Sequence, residues 1–160
     1  MTGSTKTYIT EEMKAQIGVG FDGHVSQPIS LSDIRKWAIA VYWPETPPQL
    51  FWDEEYAKTT RFGGIVAPED FNPFAWPMEQ PHSQTELGST PHAQGLNGGG
   101  IGRYHTHMRP GDVITSVSSI KEHREREGRL GLMLFTITET RWTNQKGELV
   151  KVYEGTGIRY

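Results

Sequence analysis

The second half of the chain constrains the fold most, because from Gly100 onward it reads as strands separated by turns. Ile101 to Met108 is a first run, Arg109-Pro110-Gly111-Asp112 turns it, and Val113 to Ile120 alternates in polarity. Leu130 to Thr143 is a long run rich in Leu, Phe, Ile and Thr, and Asn144-Gln145-Lys146-Gly147 returns it into Glu148 to Ile158. This order predicts an antiparallel meander. Met133, Phe135 and Ile137 make one face of the long strand apolar, while Leu132 and Leu134 begin the other face apolar as well. Both faces therefore need cover, and a partner subunit is one way to supply the second.

The first half carries a single clear helix signal. Ser30-Leu31-Ser32-Asp33 resembles a capping box and runs into Ile34, Trp37, Ala38 and Val41, whose three- and four-residue spacing makes an apolar stripe. Pro44 stops the helix. A second helical turn is predicted at Asp53-Glu54-Glu55-Tyr56-Ala57, with Asp53 as its cap, ending before Gly63-Gly64. Residues 77–99 are polar, aperiodic and rich in glycine and proline, which predicts a long loop carrying His82 and His92. A helical first half followed by a sheet-forming second half argues an α+β fold, its helix packed on one face of a curved sheet. The stripe from Ile34 to Val41 is expected to face that sheet.

With 160 residues the chain suits one domain, residues 1–20 being read as an N-terminal extension. Cysteine is absent, so disulfides, zinc-thiolate sites and thiol catalysis are excluded. No segment reaches the roughly 20 apolar residues a membrane span needs, and the N-terminus lacks the pattern of a secretory signal, so a cytoplasmic protein is expected. The net charge of -3 argues against nucleic acid as a partner. In the run from Lys121 to Arg129 the cations alternate with Glu122, Glu125 and Glu127, which reads as a solvated hairpin or strand edge.

Several residue groups bear on chemistry. His105 and His107 lie two apart on a presumed strand, so they share a face, which suits a metal or acid–base pair as well as a partly buried interface. Gly98, Gly99, Gly100 and Gly102 lack the strand-to-helix context of a phosphate loop and read as close backbone packing. Trp43, Phe51, Trp52, Phe71, Phe74 and Trp76 concentrate aromatic area that suits core or the wall of an apolar tunnel.

Four pieces in order carry a family resemblance. Trp52-Asp53-Glu54-Glu55-Tyr56-Ala57-Lys58, followed by Phe62-Gly63-Gly64-Ile65-Val66-Ala67-Pro68, resembles the region after the active-site loop of MaoC-like (R)-specific enoyl-CoA hydratases. Leu96-Asn97-Gly98-Gly99 and Met108-Arg109-Pro110-Gly111-Asp112-Val113 resemble a strand and turn of that family's N-terminal-type, FAS1-like dehydratase domains. The similarity covers the chain from about Ile34 onward.

The resemblance implies a single hot-dog fold, a central helix wrapped by a curved antiparallel sheet, and hydro-lyase chemistry without a cofactor on an acyl-CoA or acyl carrier protein thioester. Fatty acid or steroid side-chain metabolism is the implied setting. The family's Asp-x-Asn-Pro-x-His motif falls on Thr46, Pro48 and Phe51, none of which titrates, and its Ala-His-Gly segment falls on Ala67-Pro68-Glu69. This departure resembles the pocket-shaping half of a paired hydratase, whose partner hot-dog subunit supplies Asp and His. The implied substrate-binding residues are Phe51, Trp52, Phe71, Phe74, Trp76, Asn97 and Gly98, with Arg61, Arg103 and Arg109 for CoA phosphates. Two alternatives stay open: a self-sufficient homodimer using Glu69, Asp70, His105 or His107 as substitutes, and a non-enzymatic acyl-CoA-binding protein.

Overall fold

The computed structural model describes residues 7–74 and 94–160; Trp76, His82, His92 and the rest of the expected loop up to residue 93 lie outside them. The elements run α1 (Glu11–Ala15), β1 (Gly20–Val25), α2 (Leu31–Tyr42), a 3-10 turn (Gln49–Phe51), α3 (Glu54–Thr59), β2 (Gly95–Tyr104), β3 (Ile114–Gly128), β4 (Gly131–Asn144) and β5 (Leu149–Arg159). All strands pair antiparallel in one five-stranded sheet of order β1-β3-β4-β5-β2. The helix-on-sheet arrangement expected from the sequence is present. Among the described residues no helix is long and apolar enough to cross a membrane.

Helix α2 starts where the Ser30 hydroxyl accepts from the Asp33 amide at 3.0 Å, satisfying one of the donors that a helix start leaves open. Ile34 and Ala38 then pack inward, fully buried. Ile34 joins Ile29, Ala57, Ala67, Met108, Ile114 and Val150 in one core, and Trp37 packs on it half-buried. Val41 departs from the expected stripe. At 48% exposure it projects past the core, because the last turn of α2 overhangs a groove.

The sheet has more strand than residues after Gly100 supply. β1 is an additional edge strand with a bulge between Phe21 and His24, and Asp22 there takes a positive φ of 50°. β2 begins at Gly95, so residues 95–99 of the expected loop are strand. Gly100 is required by packing: a side chain there would run into the Tyr153 ring and the Glu154 carbonyl. The basic run lies within β3, extended to Gly128 by its register with β4. Glu122 and Glu154 pair with Arg124 and Lys121.

The far half of the β3–β4 hairpin extends beyond α2 and is covered instead by the N-terminal segment. Met13 of α1 is buried, and the Glu125 carboxylate accepts from the Thr7 hydroxyl and the Tyr8 and Ile9 amides. Beneath this strap His123 is 8% exposed, its Nδ1 3.1 Å from the Thr136 hydroxyl, and among the described residues its Nε2 has no partner in good hydrogen-bond geometry, the Met13 backbone lying nearby. Burial pushes its pKa below the usual 6.5, offset in part by the Met13 backbone. The unfolded chain then binds a proton that folded His123 resists, so stability is complete above pH 6.5 and falls as the pH drops through the folded pKa. Denaturant titrations between pH 7 and pH 5 should show this slope, and His123→Leu should flatten it. Equal slopes in both proteins would remove His123 as the cause.

Candidate functional site

The overhang of α2 opens a groove of about 500 Å³. It is lined by Val41 and Tyr42 of α2, Leu50 and Phe51 of the 3-10 turn, and the segment from Val66 to Asp70. Local chemistry sets each part. The Trp52 indole donates to the Pro47 carbonyl at 3.0 Å and closes the 3-10 turn, and the Asp53 carboxylate caps α3 through the Tyr56 amide at 3.0 Å. Asp53→Ala should cost about 0.5–2 kcal/mol, read as a lowered Tm, since α3 then loses its cap. The wall is tied down where the Ala67 amide donates to the Met108 carbonyl at 2.8 Å and the Arg109 guanidinium to the Phe62 carbonyl at 2.7 Å.

The three motif positions carry no proton-transfer group into this groove. Phe51 lines it half-buried, its ring 6.0 Å from that of Tyr42. Pro48 caps the 3-10 turn, and Thr46 is exposed. In the Ala67-Pro68-Glu69 segment the Ala67 amide is already committed, Pro68 has no N–H, and Glu69 stands at the position of the family's glycine.

Other candidates gather there. Glu69 and Asp70 line the groove with Arg61 and His107. His107 meets the Phe62 ring edge-on at 4.8 Å, and the Arg61 guanidinium lies 4.8 Å over that same ring. The expected histidine pair does not form a strand face, because β2 ends at Tyr104 and leaves His105 exposed while His107 is half-buried.

Further candidates lie elsewhere. Phe71 and Phe74 line a second cavity of about 380 Å³. Gly98, next to Asn97 on β2, lines a third of about 500 Å³ with Lys121 and Arg124. Arg103 is held by Glu154 at 3.0 Å, and Trp52 packs on its own loop.

Sequence reasoning passed over Tyr104 and Lys151. The half-buried Lys151 ammonium sits 4.7 Å from the Trp142 ring and 5.3 Å from that of Tyr104, which itself lines the groove. Burial lowers its pKa from 10.5, and the Asp70 charge acts against that shift. A lysine between two apolar neighbours in a strand reads as a solvent-facing position, so nothing local marked it.

The family described as FAS1-like, dehydratase domain region matches residues 15–152. No curated protein sequence matches the chain significantly. Among solved structures, a MaoC-like dehydratase from Rhodospirillum rubrum is similar at 18% identity and TM-score 0.61, covering 90% of this chain and 92% of its own. The ChsH1-ChsH2 complex from Mycobacterium tuberculosis is similar at 14% identity and TM-score 0.69, covering 89% and 84%. The HadBC (3R-hydroxyacyl-ACP dehydratase) complex from the same organism is similar at 19% identity and TM-score 0.55, covering 86% and 96%. The fold shared with these structures is the single α+β hot-dog fold.

Proposed function

The chain belongs to the FAS1-like dehydratase domain region family, and from that premise we propose that it is one subunit of a heteromeric enoyl-thioester hydratase or 3-hydroxyacyl-thioester dehydratase. It shapes the acyl pocket, and a second hot-dog subunit supplies the Asp and His that move protons. The observation that carries this reading is that Phe51, on which the resemblance places the family's histidine, lines the groove with an aromatic side chain. In the reaction, water adds across the double bond conjugated to the thioester carbonyl, or is lost from the 3-hydroxyacyl thioester to form that bond; hydration needs a base for the water proton and an acid that protonates the α-carbon, and dehydration the reverse. Phe51 can do neither.

The free edge of the sheet supports a partner. β2 is the last strand in the order, and all ten of its residues are exposed, a row of backbone groups available to the edge of another chain. The ChsH1-ChsH2 and HadBC structures are complexes by their names, which is compatible with a two-chain assembly here. Arg61, at the groove, and Arg109, whose guanidinium donates to the Phe62 carbonyl, are the residues this reading assigns to the phosphates of a CoA thioester. Neutralising either should raise KM more than it lowers kcat in the active complex; the opposite split removes the phosphate role.

The homodimer reading keeps one observation in its favour, since Glu69, Asp70 and His107 line the same groove and are titratable. Purified alone, the chain should leave crotonyl-CoA and a bulkier enoyl-CoA unhydrated. Full activity alone, lost on changing one of those three residues, would establish the homodimer instead.

A further inference from the structure

Two cavities lie end to end along α2. The groove runs beside its last turn at Val41 and Tyr42, while the 380 Å³ cavity runs beside Asp33, Lys36 and Trp37. One stretch of chain walls both, with Val66 to Asp70 over the groove and Phe71 to Phe74 over the second cavity. At the junction the Trp37 indole N–H donates to Asp70 Oδ1 at 3.3 Å, and its ring meets Phe71 edge-on at 5.6 Å. Phe71 is 3% exposed and fixed in the core, so the indole has a rigid backing. From the sheet side the Lys151 charge attracts the Asp70 carboxylate. Trp37, which lines the second cavity, and Asp70, which lines the groove, thus meet between two cavities bounded by the same helix and the same segment.

We propose that the Trp37–Asp70 contact is a partition that sets acyl-chain length: the chain ends at the Trp37 indole, and the cavity beyond is closed to it. The substrates are then acyl thioesters short enough for the groove alone. This rests on the hydratase reading, because the groove must be an acyl site for its length to matter. The mechanism is steric. Each further methylene has either to displace the indole from Phe71 and Asp70 or to stay in water, so it adds no burial. Opening the partition joins the second cavity to the groove and lets a longer chain gain that burial.

Calorimetric titration of the purified protein with butanoyl-, octanoyl- and dodecanoyl-CoA tests this, because saturated thioesters bind without turnover. Trp37→Leu removes the indole. Asp70→Ala releases its hydrogen bond at an exposed position where folding is not at stake. The wild type should bind dodecanoyl-CoA no better than butanoyl-CoA, and each variant should raise the dodecanoyl-to-butanoyl affinity ratio by about tenfold or more. An unchanged ratio in both variants, or a wild type that already prefers the long chain, overturns the partition and leaves the acyl site standing. No binding of any of the three by the wild type overturns the partition together with the acyl-site reading.

Discussion

Replacing Ile34 by alanine should lower the free energy of unfolding by about 2–5 kcal/mol. The side chain has 0% exposure and lies in the core with Met108, Ile114 and Val150, so the central helix and the sheet both lose contact with it. Its surroundings resist collapse. Ile114 lies at the start of β3, where the Ser26 hydroxyl accepts from its amide at 2.9 Å, and Ala67 is tied to Met108 through the backbone. A cavity left there keeps most of its volume, which places the loss in the upper part of that range. Urea unfolding at constant m-value reads it directly. A loss below about 1 kcal/mol would mean that α2 does not seat on the sheet as described. Trp37→Ala should cost less than the 3–5 kcal/mol typical of a buried aromatic, because the indole is only half-buried.

In a reconstituted pair, loss of the partner's histidine should lower kcat by about 10²- to 10⁴-fold, the usual contribution of a general acid or base. Phe51→Ala in this chain should instead change substrate range or KM and leave turnover within the same order of magnitude. The contrast follows from position. Phe51 lines the groove but carries no exchangeable proton, whereas under the two-subunit proposal the partner group acts on the reacting atoms. Placing Asp at 46 and His at 51 in this chain should not create activity. Thr46 is exposed, Pro48 fixes the start of the 3-10 turn, and Pro68-Glu69 still stands where the family has His-Gly. If that double substitution hydrates crotonyl-CoA alone, the missing side chains were the whole difference.

The elements legible in the sequence were those with local causes. The Ser30 and Asp53 caps, the Ile34 and Ala38 spacing and the turn from Asn144 to Gly147 each act within a few residues, and each is found where expected. What escaped depends on distant partners. β1 is short and holds two glycines and a positive-φ Asp22, so its strand state comes from pairing with β3 and not from propensity. The first residues of β2 read as loop because glycine carries no strand signal, yet Gly95 to Asn97 pair with β5, and a bulge follows before Gly100 where Gly99 takes a φ of 88°. Helix α1 is five residues long, below the length at which periodicity shows, and depends on burying Met13. At the candidate site the motif alignment fell on Phe51 and Glu69, and Asp70 was singled out as a substitute acid; all three line the groove. It could not separate His105 from His107 or find Lys151, because those environments are made by the strand end at Tyr104 and by the rings of Trp142 and Tyr104.

On the two-subunit proposal this chain forms an acyl pocket whose proton-transfer groups come from its partner. Steady-state hydration of crotonyl-CoA and a bulkier enoyl-CoA tests it most directly, measured for the chain alone and after addition of a MaoC-like chain carrying Asp-x-Asn-Pro-x-His. The account predicts no turnover alone and turnover on mixing, beyond that of the added chain by itself, with Glu69→Gln, Asp70→Asn and His107→Asn each leaving the mixed rate within the same order of magnitude. Full activity of the unmixed chain, abolished by one of those three substitutions, would contradict it.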